Sequence, residues 1–428
     1  MKPSFFAPLL LGVGLMASCV QGATAEVANV SVSQAQQHWW PQLQSLIGQL
    51  PQMQVQASAF KQQQLASSAA SQAIYNPELD VSYQNASEDT YGIGLSQTLD
   101  WGDKQGSSAA LAQLALQQAE LEWQMTQDQL LASALQALVA QDIANKEYRF
   151  AKQQVEHAGK QLNIGRQRVA AGDLPQVALQ QLALELANNS AEFALAEQAQ
   201  LAANSAVMGL LGQAFTLTDF MQVISMESSQ GVDARLPALQ AAYLAVRQSR
   251  LLQAVVASDT SVDPNISVSA EREGSENKFG IGLSIPLQVR NRYQAEYAQA
   301  GEAVIMAEQQ YLVTERQLQQ DYQLFQASIP NLLARYQDWR ELVYRAGSEI
   351  ASTLAQQWRS GDLATGDYLQ SQRQLASSYQ VGLQLEQAIY NQWINWMASS
   401  GQLTLWFEQI YGQAAITSSS SSVNQVAH

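Results

Sequence analysis

The residue types that most often act as nucleophiles or bind metals are scarce in this sequence of 428 residues. Cys19 is its one cysteine, and the three histidines, His38, His157 and His428, lie far apart along the chain. Histidine and cysteine ligands of protein metal sites recur at short, fixed spacings, and these residues form no such pair. We therefore expect no metal site, no cofactor and no catalytic residue, and we predict that the protein is not an enzyme.

Two glycine pairs and the overall charge exclude nucleotide and nucleic-acid sites. Gly92-x-Gly94 and Gly280-x-Gly282 lack the third glycine and the following helix that a dinucleotide site requires. The chain has 22 Lys and Arg against 37 Asp and Glu, a net charge of −15. Nucleic-acid binding needs clustered basic residues, so no nucleic-acid partner is expected.

The N-terminus has the composition of an export signal. An apolar run at 9–17 precedes the sequence Ala-Thr-Ala, which ends at Ala25 and fits the small-x-small rule of signal-peptide cleavage. A second cut competes with it, because the sequence Met-Ala-Ser-Cys, which ends at Cys19, resembles a lipobox. We predict an exported protein with a signal peptide at 1–25, or at 1–18 if Cys19 is lipidated.

The rest of the sequence consists of two copies of one unit. The sequence around Pro77, Asn-Pro-Glu-Leu-Asp-Val-Ser, returns around Pro264 as Asp-Pro-Asn-Ile-Ser-Val-Ser, 187 residues later. Gly172-Asp-Leu returns at Gly361, 189 residues later. Landmarks that keep a common spacing indicate an internal duplication.

Each copy has the same succession of predicted elements. A helical segment leads to two short alternating runs, a very long helical pattern, the Gly-Asp-Leu break and a further helix. We expect the first repeat at 26–232, the second at 233–412 and a disordered, Ser-rich tail at 413–428. The long pattern at 103–171 would measure roughly 100 Å at 1.5 Å per residue, which favours tubular over globular helix packing.

The alternating runs predict β-strands with one apolar and one polar face. A soluble hairpin packed on a core also fits, but four strands between such long helices have no other sheet to pack on. A membrane barrel tolerates no open strand edge and needs at least about 8 strands, so a spanning form must be an oligomer, and three chains of four strands give 12. The positions assigned to the lipid-facing side are Tyr91, Ile93, Leu95, Phe279, Ile281 and Leu283.

These features resemble the TolC-like outer-membrane factors (outer-membrane efflux proteins) of Gram-negative efflux and secretion systems. Residues 94–104, and residues 281–287 followed by Asn291-Arg292, are similar to the heavy-metal-efflux, CzcC-like branch. The resemblance implies a mainly α protein with a small β part and two internal repeats. Its homotrimer would combine a long α-helical barrel in the periplasm with a transmembrane β-barrel of 12 strands in the outer membrane of a Gram-negative bacterium.

The resemblance further implies a passive exit duct with three kinds of partner. These are a periplasmic adaptor (membrane fusion protein), an inner-membrane proton-driven transporter of the resistance-nodulation-division type, and outer-membrane lipid. Heavy-metal cations would be the substrates, although a type I secretion or multidrug efflux duct would have the same fold. An alternative of another class is an exported structural coiled coil with the hairpins as mere turns.

The resemblance also assigns roles to the two helix breaks. Glycine there tolerates the left-handed conformation that ends a helix, proline suits the first turn of the next helix, and aspartate can cap it. Asp367 falls on a tip aspartate position of the family, while Gln370 occupies a second one. Three copies of Asp367 would form a cation-selective periplasmic constriction; alternatively, Asp367 is only an exposed residue at a helix N-terminus. The adaptor-docking tips would be Gly172, Asp173, Leu174 and Pro175 with Gly361, Asp362 and Leu363.

Overall fold

The computed structural model describes residues 39–85, 87–217, 220–222, 224 and 231–411. The predicted signal peptide with Cys19 and the tail predicted at 413–428 lie outside the described residues. The helices are α1 (Trp39–Gln49), α2 (Pro51–Ala70), α3 (Lys104–Ala170), α4 (Gln176–Leu211), α5 (Pro237–Asp259), α6 (Gln294–Trp339), α7 (Gly347–Ser360) and α8 (Thr365–Ser400). The strands are β1 (Glu78–Gln84), β2 (Thr90–Thr98), β3 (Asn265–Glu273) and β4 (Glu276–Ser284). Residues 403–411 are also helical. Among the described helices, none is both long enough and apolar enough to cross a membrane.

The two repeats predicted from the sequence are visible in the element lengths. α3 has 67 residues, and the run from the start of α6 to the end of α7 also covers 67 residues, 294–360. α4 and α8 have 36 residues each. Proline occupies the first position of both α2 and α5, where its missing N–H leaves no hydrogen bond unmade. The predicted succession of helix, hairpin, long helix and returning helix is confirmed.

One feature breaks this symmetry. α3 is continuous, whereas a π-helical turn at Arg340–Arg345 separates α6 from α7. Trp339 precedes this turn and donates from its indole N–H to the Ser378 carbonyl of α8 at 2.9 Å. The indole lies so close to Gly382 that a Cβ atom there would come within 1.8 Å of the ring. The Trp339 side chain therefore holds the π-turn against α8, and it fits there only because residue 382 is a glycine.

The four strands form one antiparallel sheet in the order β1-β2-β3-β4. Because β2 pairs with β3, the sheet joins the two repeats. The register aligns side chains in rows, one of which is Leu79, Leu95, Val268 and Ile281. β1 and β4 are the edges, and neither has a further pairing partner within the described residues.

The main hydrophobic core lies away from the sheet, where α1, α3, α6, α8 and residues 403–411 meet. Trp393 and Trp396 are fully buried in it, in agreement with a packing role. Asp128 is buried as well, and its carboxylate accepts hydrogen bonds from the amides of Leu403 and Thr404 at 3.1 and 2.8 Å. Burial raises the pKa of Asp128, although these amides oppose that effect. This carboxylate caps the C-terminal helical segment and fixes it to α3.

The contact between Trp339 and Gly382 predicts an asymmetric response to two Gly→Ala substitutions. Gly382→Ala forces the indole out of its place and should lower the free energy of unfolding by about 1–3 kcal/mol. Gly159→Ala, in α3 with open space around it, should leave stability unchanged or raise it by about 0.5–1 kcal/mol. Guanidinium unfolding followed by circular dichroism compares the two variants. Equal unfolding midpoints would show that this contact does not hold the π-turn to α8.

Candidate functional site

The two helix breaks form tight turns that lie side by side. Gly172 follows α3 with a φ of 81°, and Gly361 follows α7 with a φ of 89°. The amide after each glycine donates to a carbonyl of the preceding helical turn, at 2.8 Å from Asp173 to Arg168 and at 2.9 Å in the second turn. These bonds require a left-handed residue, which glycine supplies without strain.

Two details of these turns correct the sequence prediction. Pro175 stands just before α4, as its cap residue, rather than in its first turn. No side chain of the described residues caps α4 or α8, so the expectation that an aspartate of these turns caps the next helix is wrong. The Asp362 carboxylate instead accepts a hydrogen bond at 2.6 Å from the hydroxyl of Ser360, the last residue of α7.

Arg168 and Trp358 link the two turns. Arg168 donates to the Trp358 carbonyl at 2.7 Å, and its guanidinium carbon lies 5.6 Å from the centre of the indole ring. Trp358 stacks on Tyr368 with ring centres 5.2 Å apart and donates from its indole N–H to Thr365 at 3.1 Å. These contacts join the end of α3 to both helices of the second hairpin.

A second, smaller hydrophobic core surrounds this link. Leu174 and Leu363, which follow the two turns, both pack against it. Its buried members are Leu162, Leu182, Ala355, Trp358, Tyr368 and Leu369. The two hairpin ends therefore form one packed unit, separate from the main core.

His157 continues the link within α3. Its Nε2 lies 2.8 Å from the hydroxyl of Tyr368 and 3.2 Å from the amide nitrogen of Gln161. Burial lowers the pKa of His157, and the positive charges of Arg359 and Lys160 lower it further. A neutral imidazole with an unprotonated Nε2 accepts hydrogen bonds from both neighbours, whereas the imidazolium would face the amide protons of Gln161.

The acidic residues near the turns are exposed. Asp173, Asp362 and Asp367 all point into solvent, and Asp367 stands in the first turn of α8, followed by the exposed Gln370. Within the part of the chain that the structure describes, no three His, Cys, Asp or Glu side chains are placed to hold a metal ion. The structure thus places Asp367 near the two tip turns. The predicted constriction needs three copies of Asp367, and a single chain contains one.

A cavity of about 590 Å³ lies next to the tip core, between α3, α4 and α8. Arg373 spans it from α8 and donates two hydrogen bonds to the buried Glu185 of α4, at 2.9 and 2.6 Å. This ion pair is a further cross-link between the two repeats, since α4 belongs to the first and α8 to the second.

The sheet carries the other candidate surface. Its register places every apolar strand residue that the sequence assigns to lipid on one face, and that face is uncovered within the described residues. The exposed fractions are 57% for Tyr91, 56% for Ile93, 50% for Leu95, 85% for Phe279, 87% for Ile281 and 67% for Leu283. Such a large exposed apolar area indicates contact with lipid or with another protein.

The opposite face of the sheet consists of small and polar residues. A Cβ atom added at Gly92, Gly280 or Gly282 would come within 2.3, 2.7 or 2.4 Å of a serine hydroxyl on the neighbouring strand. Crowding of this kind is expected on the concave face of a strongly curved sheet, where only small side chains fit. The glycines that do not form a nucleotide site therefore have a packing role.

A buried carboxylate fixes the sheet to the helices. Asp263, just before β3, accepts hydrogen bonds from the Tyr75 hydroxyl and the Lys104 ammonium, both at 2.6 Å, and from the Trp101 amide at 3.3 Å. Burial alone would raise its pKa, but the bonds from Lys104 and Tyr75 hold the pKa of Asp263 below its ordinary value. This cluster ties the chain before β1 and the start of α3 to the start of β3.

Comparison with solved structures identifies the fold. No protein-family profile matches the sequence, and no curated protein matches it. The CmeC outer-membrane channel of Campylobacter jejuni matches with a TM-score of 0.69 at 13% identity, over 85% of this chain and 86% of CmeC. The chain has the fold of an outer-membrane channel.

Two further channels agree. The open-state MtrE channel of Neisseria gonorrhoeae gives a TM-score of 0.69 at 15% identity, over 85% of this chain and 90% of MtrE. The channel OprN gives 0.66 at 16% identity, over 87% of this chain and 91% of OprN. At this level of identity the likeness is one of fold, and it confirms the predicted mainly α architecture with a small four-stranded sheet and two repeats.

Sequence reasoning missed the cross-links between the tips. The sequence assigns no role to Arg168, Trp358 or Tyr368 and shows His157 only as one of three widely spaced histidines, because no motif connects residues so distant in the chain. The internal repeat could have indicated one of these contacts. Arg168 lies four residues before Gly172, and Trp358 lies three residues before Gly361. Hairpins that pack side by side place these two residues next to each other.

The environment of His157 predicts a pH dependence of stability. Because folded His157 binds its proton less tightly than the unfolded chain does, stability should fall as the pH drops through about 6.5, the unperturbed pKa of histidine. His157→Gln should reduce this loss between pH 7 and pH 5, and the exposed Lys152→Gln should keep it. Denaturant midpoints at both pH values measure the effect. A wild-type profile in His157→Gln would contradict the prediction.

Proposed function

We propose that the chain is one protomer of a trimeric outer-membrane channel, the passive exit duct of a tripartite efflux pump. The observation that carries this proposal is the sheet, which has one continuous exposed apolar face, one polar face and two edges without a partner strand among the described residues. Such a surface argues against a soluble structural coiled coil, because exposed apolar patches of this size promote aggregation in water.

The unpaired edges support the trimer. Four strands cannot close a barrel, and open backbone groups in hydrocarbon cost several kcal/mol each. In a ring of three chains, β4 of one protomer would pair with β1 of the next, and the 12 strands would exceed the minimum of about 8 for a membrane barrel. Lipid then contacts Tyr91, Ile93, Leu95, Phe279, Ile281 and Leu283, and the lumen is lined by the small and polar residues.

The helices would form the periplasmic tube of the channel. α3 alone is about 100 Å long at 1.5 Å per residue, and the hairpin turns lie at the far end of these helices from the sheet. We infer that the two turns, Gly172 to Pro175 and Gly361 to Leu363, dock the periplasmic adaptor, and that a proton-driven inner-membrane transporter supplies the substrate. The similarity of residues 94–104 to the heavy-metal-efflux branch supports metal cations as that substrate.

Opening of the duct would be a movement of the second hairpin. The contacts of Arg168 with Trp358 and of Arg373 with Glu185 hold α7 and α8 against the first repeat. In the open state these contacts would be broken. An adaptor that binds the open state more tightly than the closed state would shift the equilibrium towards opening. No residue needs to react for this to occur.

Fractionation of a Gram-negative host that expresses the full chain tests the proposal. We expect the protein in the outer-membrane fraction, as a trimer that persists in detergent until it is heated, and with ion conductance in planar bilayers. A monomeric rod in the soluble periplasmic fraction would refute the channel and favour the exported structural protein.

Asp367 offers a test of the constriction. Three exposed carboxylates in one ring attract cations and repel anions. Asp367→Asn should therefore lower the cation-to-anion permeability ratio several-fold in planar bilayers, whereas Asp338→Asn, an exposed position in α6, should leave it unchanged. Unaltered selectivity in Asp367→Asn channels would show that Asp367 forms no constriction and is only an exposed residue at the N-terminus of α8.

A further inference from the structure

The apolar face of β4 continues beyond the sheet. β4 ends at Ser284, opposite Asn265, and the residues after it have no partner strand among the described residues. Alternation nevertheless persists: Ile285, Leu287 and Val289 are 51%, 79% and 78% exposed. Ile285 and Leu287 thus extend the alternating pattern of β4 but lie outside the paired strand.

The thickness of a membrane explains why the paired part alone is too short. From Phe279 to Leu283 the strand advances about 13 Å at 3.3 Å per residue, or roughly 10 Å along the membrane normal at the usual tilt of 35–45°. The apolar band of an outer-membrane barrel is about 25 Å tall. A fully extended chain from Phe279 to Val289 would advance about 33 Å, or roughly 25 Å along the normal. The apolar stripe matches a membrane only if the unpaired segment is included.

The segment is oriented so that its apolar side faces outward. Gln288, on the even side, donates a hydrogen bond to the Thr260 carbonyl at the end of α5, which turns the odd side away from the molecule. The first repeat has a similar continuation after β2, with Leu99 and Trp101 41% and 75% exposed. Trp101 at such a boundary is typical of a membrane interface.

The segment ends in exposed basic residues. Arg290 and Arg292 follow Val289 and form no ion pair with any residue that the structure describes. In a chain with a net charge of −15, two unpaired arginines directly after an apolar stretch suit the phosphates of phospholipid headgroups.

We propose that residues 285–292 form a lipid-binding segment in the periplasmic leaflet of the outer membrane. Ile285, Leu287 and Val289 contact acyl chains, while Arg290 and Arg292 bind headgroup phosphates. In the proposed ring of three chains this segment lies beside the residues that precede β1 of the next protomer, which would pair its backbone groups, because unpaired groups in hydrocarbon cost several kcal/mol each. The inference rests on the proposed channel and enlarges its membrane contact beyond the sheet. The helices of the second repeat would then begin at Gln294, directly below the headgroups.

Spin labels on introduced cysteines test this depth in the full-length protein, reconstituted in phosphatidylcholine vesicles with phosphatidylglycerol. According to the N-terminal prediction, Cys19 is either removed or lipidated, so each introduced cysteine is the free thiol. Leu287→Cys labels the proposed segment. Ile281→Cys on β4 is the reference for lipid exposure, and Ile305→Cys in α6, where the native side chain is 52% exposed, is the reference for water exposure. The measurement is collision with oxygen, which dissolves in lipid, against collision with a water-soluble nickel chelate.

We expect the oxygen-to-nickel ratio at Leu287→Cys to resemble that at Ile281→Cys and to exceed that at Ile305→Cys several-fold. A water-like ratio at Leu287→Cys with a lipid-like ratio at Ile281→Cys would overturn the inference and leave the channel proposal intact. Low collision with both reagents at Leu287→Cys would mean that another protein copy covers the segment, which also overturns it. A water-like ratio at Ile281→Cys would refute the channel and the inference together.

The arginines have a test of their own. Arg290→Gln with Arg292→Gln should reduce several-fold the phosphatidylglycerol that co-purifies with the solubilised protein, as measured by mass spectrometry. The pair Arg316→Gln and Arg335→Gln in α6 removes the same charge from exposed positions far from the sheet and should leave it unchanged. Equal lipid retention in the two double variants would exclude headgroup binding by Arg290 and Arg292.

Discussion

Unpaired backbone groups at the edges of an apolar sheet are the constraint on which the rest of this structure depends. Each such group out of contact with water costs several kcal/mol, and in the part of the chain that the structure describes β1 and β4 present a full row of them. The proposed trimer satisfies these groups by joining edge to edge. Because each hairpin connects to long helices within about ten residues on either side, closing the sheet would also fix how the helices of neighbouring chains are spaced.

The two ends of the protomer are secured differently. Near the sheet, the buried carboxylate of Asp263 gathers three donors from three separate parts of the chain, which suits a junction that transmits no movement. At the tips, the second hairpin is held by the surface-accessible Arg373 and by Arg168. It is also the hairpin that contains the π-turn, and such turns are frequent at functional sites and at helix kinks. The proposed opening movement would thus break contacts at the tips and leave those at the sheet in place.

Much of the fold could be predicted because its signals are periodic or repeated. The helix at 103–171 was foreseen to within one residue at each end, since nothing in it interrupts the pattern, and the strands followed from strict alternation. The tip glycines were found because a left-handed position leaves little choice of residue. The π-turn, helix α1 and the cap at the tips could not be predicted. A π-turn has no sequence signature, and whether Asp362 caps a helix or bonds to Ser360 depends on angles that the tertiary packing sets.

The sequence by itself determined the two repeats, the long helices, the two-faced strands and the absence of any motif for catalysis, because each of these properties is local or recurs at a fixed spacing. Only the tertiary structure decided that Arg168 meets Trp358, that His157 meets Tyr368 and that Asp263 holds the sheet to α3. These contacts join residues between 159 and 211 positions apart. Their existence depends on how the two repeats pack, and side chains so distant leave no pattern that a single sequence can reveal.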